Sequence, residues 1–471
     1  MHRQDSVRSM ATPALRWVMG VSLAGWILIG LWPTRRLQPV PATAPAGEFS
    51  AERAMVHVWA IAQRPHPVGS PEHDRVRDYI RAQITTLDLV PAVESGVGIF
   101  RSKSNYVENI VARLPGAANT RPVMLASHYD SVSRGPGAAD DGHGVAVLLE
   151  TLRALRNAPP LRNDIIFLFT DGEEIEMLGA ALFTKDHPWR KEPGVVLNFE
   201  ARGTGGPPSM FETSAGNEWL IRDLKAAVPR ANATSIAYEV YRRMPNDTDL
   251  TVFKRGGLPG LNFAFIGHPE FYHSPEDDPQ HLDRSSLQEQ GNYALSLTRQ
   301  FGNEDLNRRH TGNAVYFPTL VTSLIVYPVS WVWPLAWGTV AGLVLVVLVS
   351  WRRRSGRLRI ALLLALPAAF LLLAAGMVPG VSYILEWPLV GAILSCALLV
   401  TAPAKIGFGW RTAALAILPA PVFLLLIPML QPLVVALGFK AIVPLAAMAL
   451  LILIFLAPQL VLISGRGAGA D

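Results

Sequence analysis

Thr170-Asp171-Gly172-Glu173-Glu174 stands directly behind the apolar run Ile165-Ile166-Phe167-Leu168-Phe169, so a buried strand would carry an acidic cluster to the edge of a sheet. Other short segments hold groups of the same kind: His128-Tyr129-Asp130, Asp140-Asp141, Glu200 and His273. Imidazole nitrogens and carboxylate oxygens bind zinc, and two zinc ions about 3.5–4 Å apart need a carboxylate that can bridge them. Asp140 is the expected bridge, because the glycines of Pro136-Gly137-Ala138-Ala139-Asp140-Asp141-Gly142-His143-Gly144 allow a tight turn ahead of a helix. His128 and Glu200 are expected on one metal, and Glu174 and His273 on the other. Asp130 is placed to accept the second ring N–H of His128 and fix its tautomer. Neighbouring side chains cannot face one metal equally. With Glu174 bound, Glu173 is free to take a proton from the attacking water and return it to a leaving amine.

These groups need elements that bring them to one place. Strands are expected at 108–114, 122–127, 164–170, 194–200 and 259–265, with helices at 51–63, 73–87, 143–156, 177–185, 215–227, 248–255 and 285–301. Apolar strands alternating with helices predict an α/β sandwich on a largely parallel sheet, in which ligands sit beyond the carboxyl ends of the strands. His128 follows one such strand, Asp171 to Glu174 another, and Glu200 ends a third. No His-Glu-x-x-His helix, phosphate-binding glycine loop or Gly-x-Ser-x-Gly elbow accompanies them.

Charge separates this portion from the rest. Five basic and one acidic side chain before residue 37, and nine and two after residue 313, leave residues 37–313 at −6 in a chain of net +5. A nucleic-acid partner, which needs a basic face on the folded domain, is disfavoured. Trp17 to Trp32 is a short apolar stretch read as an uncleaved signal anchor, with a cleaved signal peptide as the alternative. Residues 37–50, rich in Pro and Ala, read as a tether to a domain over 51–306. From 314 to 471 the expectation is a bundle of about five spans, near 328–350, 359–379, 384–403, 412–437 and 441–463. Lys and Arg cluster on alternate loops, which puts both termini in the cytoplasm and residues 37–313 outside it. That means a bacterial inner membrane facing the periplasm, or an ER or vacuolar membrane facing the lumen. The single cysteine, Cys396, lies in an expected span, so metal in the outer domain must be held by His, Asp and Glu.

The segment GAADDGHG, the Glu-Glu pair behind an apolar strand, NFEARGTGGP and FYHSPEDD resemble the zinc exopeptidases of metallopeptidase family 28. These are the di-zinc aminopeptidase and glutamate carboxypeptidase-like enzymes, with particular likeness to multi-spanning ER and vacuolar membrane metallopeptidases. The resemblance covers roughly residues 52–303. It implies two Zn2+ held by His128, Asp140, Glu174, Glu200 and His273, Glu173 as the base, and a cis peptide between Asp140 and Asp141. Several relatives have Asp where this chain has Glu200. The resulting expectation is a membrane-anchored aminopeptidase acting on peptides, with the lipid bilayer as a partner and the bundle as anchor, dimer interface or lid. The alternatives are a glutaminyl cyclase-like acyltransferase with one zinc, a non-catalytic receptor of the same fold, and a transporter. Transport is disfavoured because the spans carry little besides Glu386, which is expected at the interface.

Other polar residues have plainer expectations. His143 is read as a capping or surface group, and His187, His268 and His281 as exposed. His66 and His73 are read as structural, and Asp277 as support for the site. Arg202 is a candidate for either a substrate carboxylate or loop support, and Tyr272 for the pocket wall or packing.

Overall fold

Strands buried on both faces set the architecture of the α/β portion of the chain. The computed structural model describes residues 17–18, 20–25, 37–307, 311–318, 324–352, 364–378, 380, 382–401, 417, 419, 450 and 452–456. The chain divides into two units, one of Arg35–Phe317 and one of Met1–Thr34 with Pro318–Asp471.

In the Arg35–Phe317 unit the chain forms α1 (Ala51–Ile61), α2 (Pro71–Thr86), β1 (Ala92–Phe100), β2 (Lys103–Leu114), β3 (Val123–His128), α3 (His143–Arg156), β4 (Ile165–Thr170) and α4 (Leu178–Asp186). It continues through β5 (Val195–Ala201), β6 (Ser209–Thr213), α5 (Glu218–Ala227), β7 (Asn232–Ala233), α6 (Ser235–Tyr241), α7 (Asp249–Arg255), β8 (Gly260–Phe265) and α8 (Arg284–Asn303). One mixed sheet carries β1 to β8 in the order β1-β2-β4-β3-β5-β8-β6-β7. β4, β3, β5 and β8 run parallel at its centre, while β2 joins β4 and β6 joins β8 antiparallel. Every residue of the four central strands is buried. Hence their sequences are mostly apolar runs rather than alternating ones. Met124, Ala126, Ile166 and Leu168 pack with Phe183 of α4 and Phe253 of α7 in one cluster. Each such large side chain contributes about 1.5–3 kcal/mol through burial.

Helix starts are set by side chains. Ser50 accepts from the Arg53 N–H ahead of α1, Ser70 from the His73 N–H ahead of α2 with Pro71 in its first turn, and Asp283 from the Ser285 N–H ahead of α8. These bonds satisfy donors that the first turn leaves open. The expected sheet was too small. β1 and β6 were not foreseen, and β2 begins five residues before the expected 108. β1 is an edge strand with most of its residues exposed or half-exposed, so it lacks the apolar signature of the central strands.

In the other unit, Val329–Arg352 is a 24-residue apolar helix of mean hydropathy 2.2, the one described helix long and apolar enough to cross a membrane. Pro367–Met377 and Tyr383–Ala397 are shorter apolar helices. Most of the expected spans at 412–437 and 441–463, and much of the Trp17–Trp32 segment, lie outside the described residues. Glu386, expected at the interface, is 1 % exposed.

Candidate metal centre

Parallel strands ending side by side bring the polar groups together. His128 is the last residue of β3 and pairs in register with Thr170, the last of β4, so Asp171 to Glu174 emerge beside the imidazole. Glu200 lies near the end of β5, which pairs with β3 on its other flank. Asp140 arrives from the turn Ala138–Gly142 between β3 and α3. Gly137 precedes that turn in the left-handed region with φ 65°, where a side chain would be strained. The Asp140–Asp141 peptide bond is cis. His273 follows a short turn at Pro269–Phe271, after β8.

The five expected ligands converge. Asp140 Oδ1 lies 3.2 Å from His128 Nε2, and Asp140 Oδ2 lies 3.0 Å from His273 Nε2. Glu200 Oε2 is 3.7 Å from His128 Nε2, and Glu174 Oε2 is 3.1 Å from His273 Nε2. One carboxylate thus stands between two imidazoles, and each imidazole has a second carboxylate beside it. His128 is fully buried, whereas the His273 side chain is 35 % exposed. The centre opens on the His273 side.

Supporting residues fix these positions. Asn198, two residues before Glu200 on the same face of β5, donates to Glu200 Oε1 at 3.0 Å, so Oε2 is the oxygen near His128. Asp277 is buried and accepts the Ala139 and Asp140 N–H groups at 2.6 and 3.1 Å. Asp141 accepts from Ser127 Oγ at 2.5 Å, with His143 Nδ1 3.1 Å away. A Cβ on Gly144 would collide with the Asp141 carboxylate, which accounts for glycine there. Asp130 does more than orient His128. Its carbonyl is 3.0 Å from His128 Nδ1 and its carboxylate 3.4 Å. The same carboxylate accepts the backbone N–H groups of Glu173 and Glu174 at 3.0 and 3.3 Å.

Two histidine expectations need correction. His143 is neither a cap nor a surface group. It is fully buried between Ala139 and Asp141 on one side and Gln290 on the other. His187 is 8 % exposed and stacks on Phe183 with ring centroids 4.7 Å apart. His73 is structural as expected and buried, donating from its ring to Asp171 at 2.8 Å and stacking on Tyr129. Asn198 and the His73–Asp171 pair escaped the sequence reading. Period-two spacing to Glu200 was the available signal for Asn198; nothing in the sequence links His73 to Asp171.

The electrostatics ask for cations. Among the described residues, Asp130, Asp140, Glu174 and Glu200 pair with no lysine or arginine, only with histidines. Burial pushes the Glu174 carboxyl up to about 7, with Asp140 adding to the shift. Burial likewise pushes Glu200 well above the usual range, and Glu173 adds to it. For Asp140 burial is outweighed by hydrogen bonds from His128 and His273, which hold it below the usual range. Burial disfavours protonated His273, but Asp140 and Glu174 raise it to about 10. The same carboxylates that favour protonated imidazoles would favour divalent ions between them. Glu174 Oε1 is buried with no hydrogen-bond partner among the described residues. Two imidazoles and three carboxylates, with an orphaned oxygen among them, fit zinc with nitrogen and oxygen ligands.

A metal-binding α/β domain of this kind defines a class, and comparison with known proteins narrows it. Residues 109–298 match the model described as Peptidase family M28. The chain is 31 % identical over 312 residues to endoplasmic reticulum metallopeptidase 1 of Rattus norvegicus, covering 60 % of this chain and 34 % of that one. It is 36 % identical over 246 residues to the vacuolar membrane protease of Candida albicans strain WO-1, covering 50 % and 28 %. The match therefore spans about a third of the length of these curated relatives. Among solved structures, BSAP, a zinc aminopeptidase from Bacillus subtilis, superposes with a TM-score of 0.45 at 15 % identity over 55 % of this chain and 96 % of that one.

Proposed function

We propose that the chain is a membrane-anchored, zinc-dependent exopeptidase, an aminopeptidase in direction, that hydrolyses peptides outside the cytoplasm. One observation carries this reading: Asp140 offers its two oxygens to two different imidazoles, each flanked by a further carboxylate. His128, Asp140 and Glu200 would hold one ion, and Asp140, Glu174 and His273 the other. Bound zinc supplies Lewis acidity, which polarises a scissile carbonyl and eases loss of a proton from water.

The protein moves the proton. Burial pushes Glu173 well above the usual glutamate range; His128 draws it down, and Asp249, Glu174 and Asp140 push it further up. Among the described residues its carboxylate has no hydrogen-bond or ion-pair partner, while its backbone N–H is tied to Asp130. Such a group can take a proton from the attacking water and pass it to the departing amine.

Membrane attachment is supported by the Val329–Arg352 helix and by relatives named for the ER and vacuolar membranes. The alternating basic loops support a non-cytoplasmic side for the domain. A one-zinc glutaminyl cyclase is the second reading, and the carboxylate shared by two imidazoles favours two ions over one. The deciding assay presents the full-length chain in detergent with aminoacyl and carboxyl-terminal reporter peptides and with peptides bearing amino-terminal glutamine. Aminoacyl hydrolysis abolished by chelator and restored by zinc supports the proposal. Chelator-insensitive turnover, or cyclisation without hydrolysis, contradicts it.

A further inference from the structure

The rim of the metal centre carries an arginine whose charge has no counterpart. Arg202 stands just past the end of β5, two residues after Glu200. Its own N–H donates to the Phe265 carbonyl, and its side chain is exposed. The guanidinium lies over the Tyr272 ring, 5.8 Å from the centroid, and Tyr272 stacks on His273 with centroids 3.8 Å apart and planes 19° from parallel. The stack Arg202–Tyr272–His273 thus runs from the open side of the centre outward.

The partners of Arg202 are neutral. The Asn246 amide, with its oxygen turned toward Arg202, accepts from both Nη atoms. The next residue, Asp247, turns the other way and pairs with Arg101, which also pairs with Glu176. On one short loop the acidic side chain goes to Arg101 and the amide to Arg202. Among the described residues Arg202 has no ion pair, although the surrounding domain is net acidic. An aromatic ring and an amide hold the fork in place without neutralising it, which suits a planar anion arriving from solvent.

We propose that Arg202 binds a carboxylate of the substrate, so that the preferred substrates are short peptides with an anionic group one residue past the scissile bond. This deepens the peptidase reading and rests on it. With the interior closed around His128 and Glu200, a peptide whose amino end enters the centre leaves it past His273, toward Arg202. The carboxylate is either the carboxyl terminus of a dipeptide or an acidic side chain, and both offer the guanidinium the same two oxygens.

The test compares Leu-Leu, Leu-Leu-amide and Leu-Glu-amide as substrates of the zinc-loaded full-length chain and of Arg202→Gln and Arg202→Lys, with zinc per chain measured for each. Leu-Leu is expected to exceed Leu-Leu-amide in kcat/KM by roughly ten- to hundred-fold, the range for a charge-assisted contact. The difference should fall mainly on KM, because the contact is the same before and in the transition state. Arg202→Gln should bring that ratio toward one, and Arg202→Lys should restore part of it. A gain for Leu-Glu-amide alone supports the site with an acidic side chain as its ligand. Equal rates for all three peptides, or a ratio that Arg202→Gln leaves unchanged, overturns the assignment while the peptidase reading stands. No turnover of any of them overturns both.

Discussion

Glu173 and Glu174 are neighbours in sequence with different surroundings. Glu174 meets His273, whereas Glu173 has no side-chain partner among the described residues. Glu173→Gln should therefore leave zinc bound and lower kcat by roughly 10²–10⁴-fold, the range for lost acid–base catalysis; near-normal turnover would remove Glu173 from the reaction. His66 offers a prediction about stability. Burial lowers it to about 4 from an ordinary 6.5, so below pH 6.5 the unfolded chain takes up a proton that the folded chain refuses. Stability should fall as pH drops from 6.5 toward 4, by up to roughly 3 kcal/mol. His66→Gln should flatten that limb of a Tm-against-pH curve, and equal slopes would place the acid sensitivity elsewhere. His128, Glu174 and Glu200 were legible because they stand at or just past strand ends, and Asp140 because it sits in a glycine-rich turn, whereas His273 was legible from the FYHSPEDD segment that carries the family resemblance. His143 and His187 were misread because polar sequence neighbours conceal the Gln290 and Phe183 contacts that bury them.

At the scale of elements, the Ala138–Gly142 turn is positioned by a residue far along the chain. Asp277 accepts two backbone N–H groups of that turn, and its carbonyl accepts a third, from Ala138. Asp277→Ala would strand the Ala139 and Asp140 donors at a cost of roughly 1–3 kcal/mol each. The expected result is a lower Tm together with weaker zinc retention; unchanged zinc affinity would show that the turn holds Asp140 without help. Elements with strong periodicity could be read directly. α3 spans the expected 143–156, and the central strands fall where the apolar runs are. β1 was hidden because an edge strand is half exposed, and β6 because five mixed residues carry little pattern. α6 is seven residues with only Ser235 buried, too short and too exposed to show a helical stripe.

For the whole molecule, charge and hydropathy divide the chain as the contacts do, with an acidic α/β unit over Arg35–Phe317 and apolar helices in the other. The centre needs a low-dielectric pocket to make its carboxylates crave cations, and the sheet provides it by burying β3, β4 and β5 completely. Binding two ions should then be a property of the folded chain. Zinc per chain, measured by mass spectrometry after equilibrium dialysis of the full-length protein, tests this most directly. Two ions are expected, falling to one or fewer in His273→Ala. A single ion in the unaltered chain, or a count that His273→Ala does not change, would contradict the paired centre.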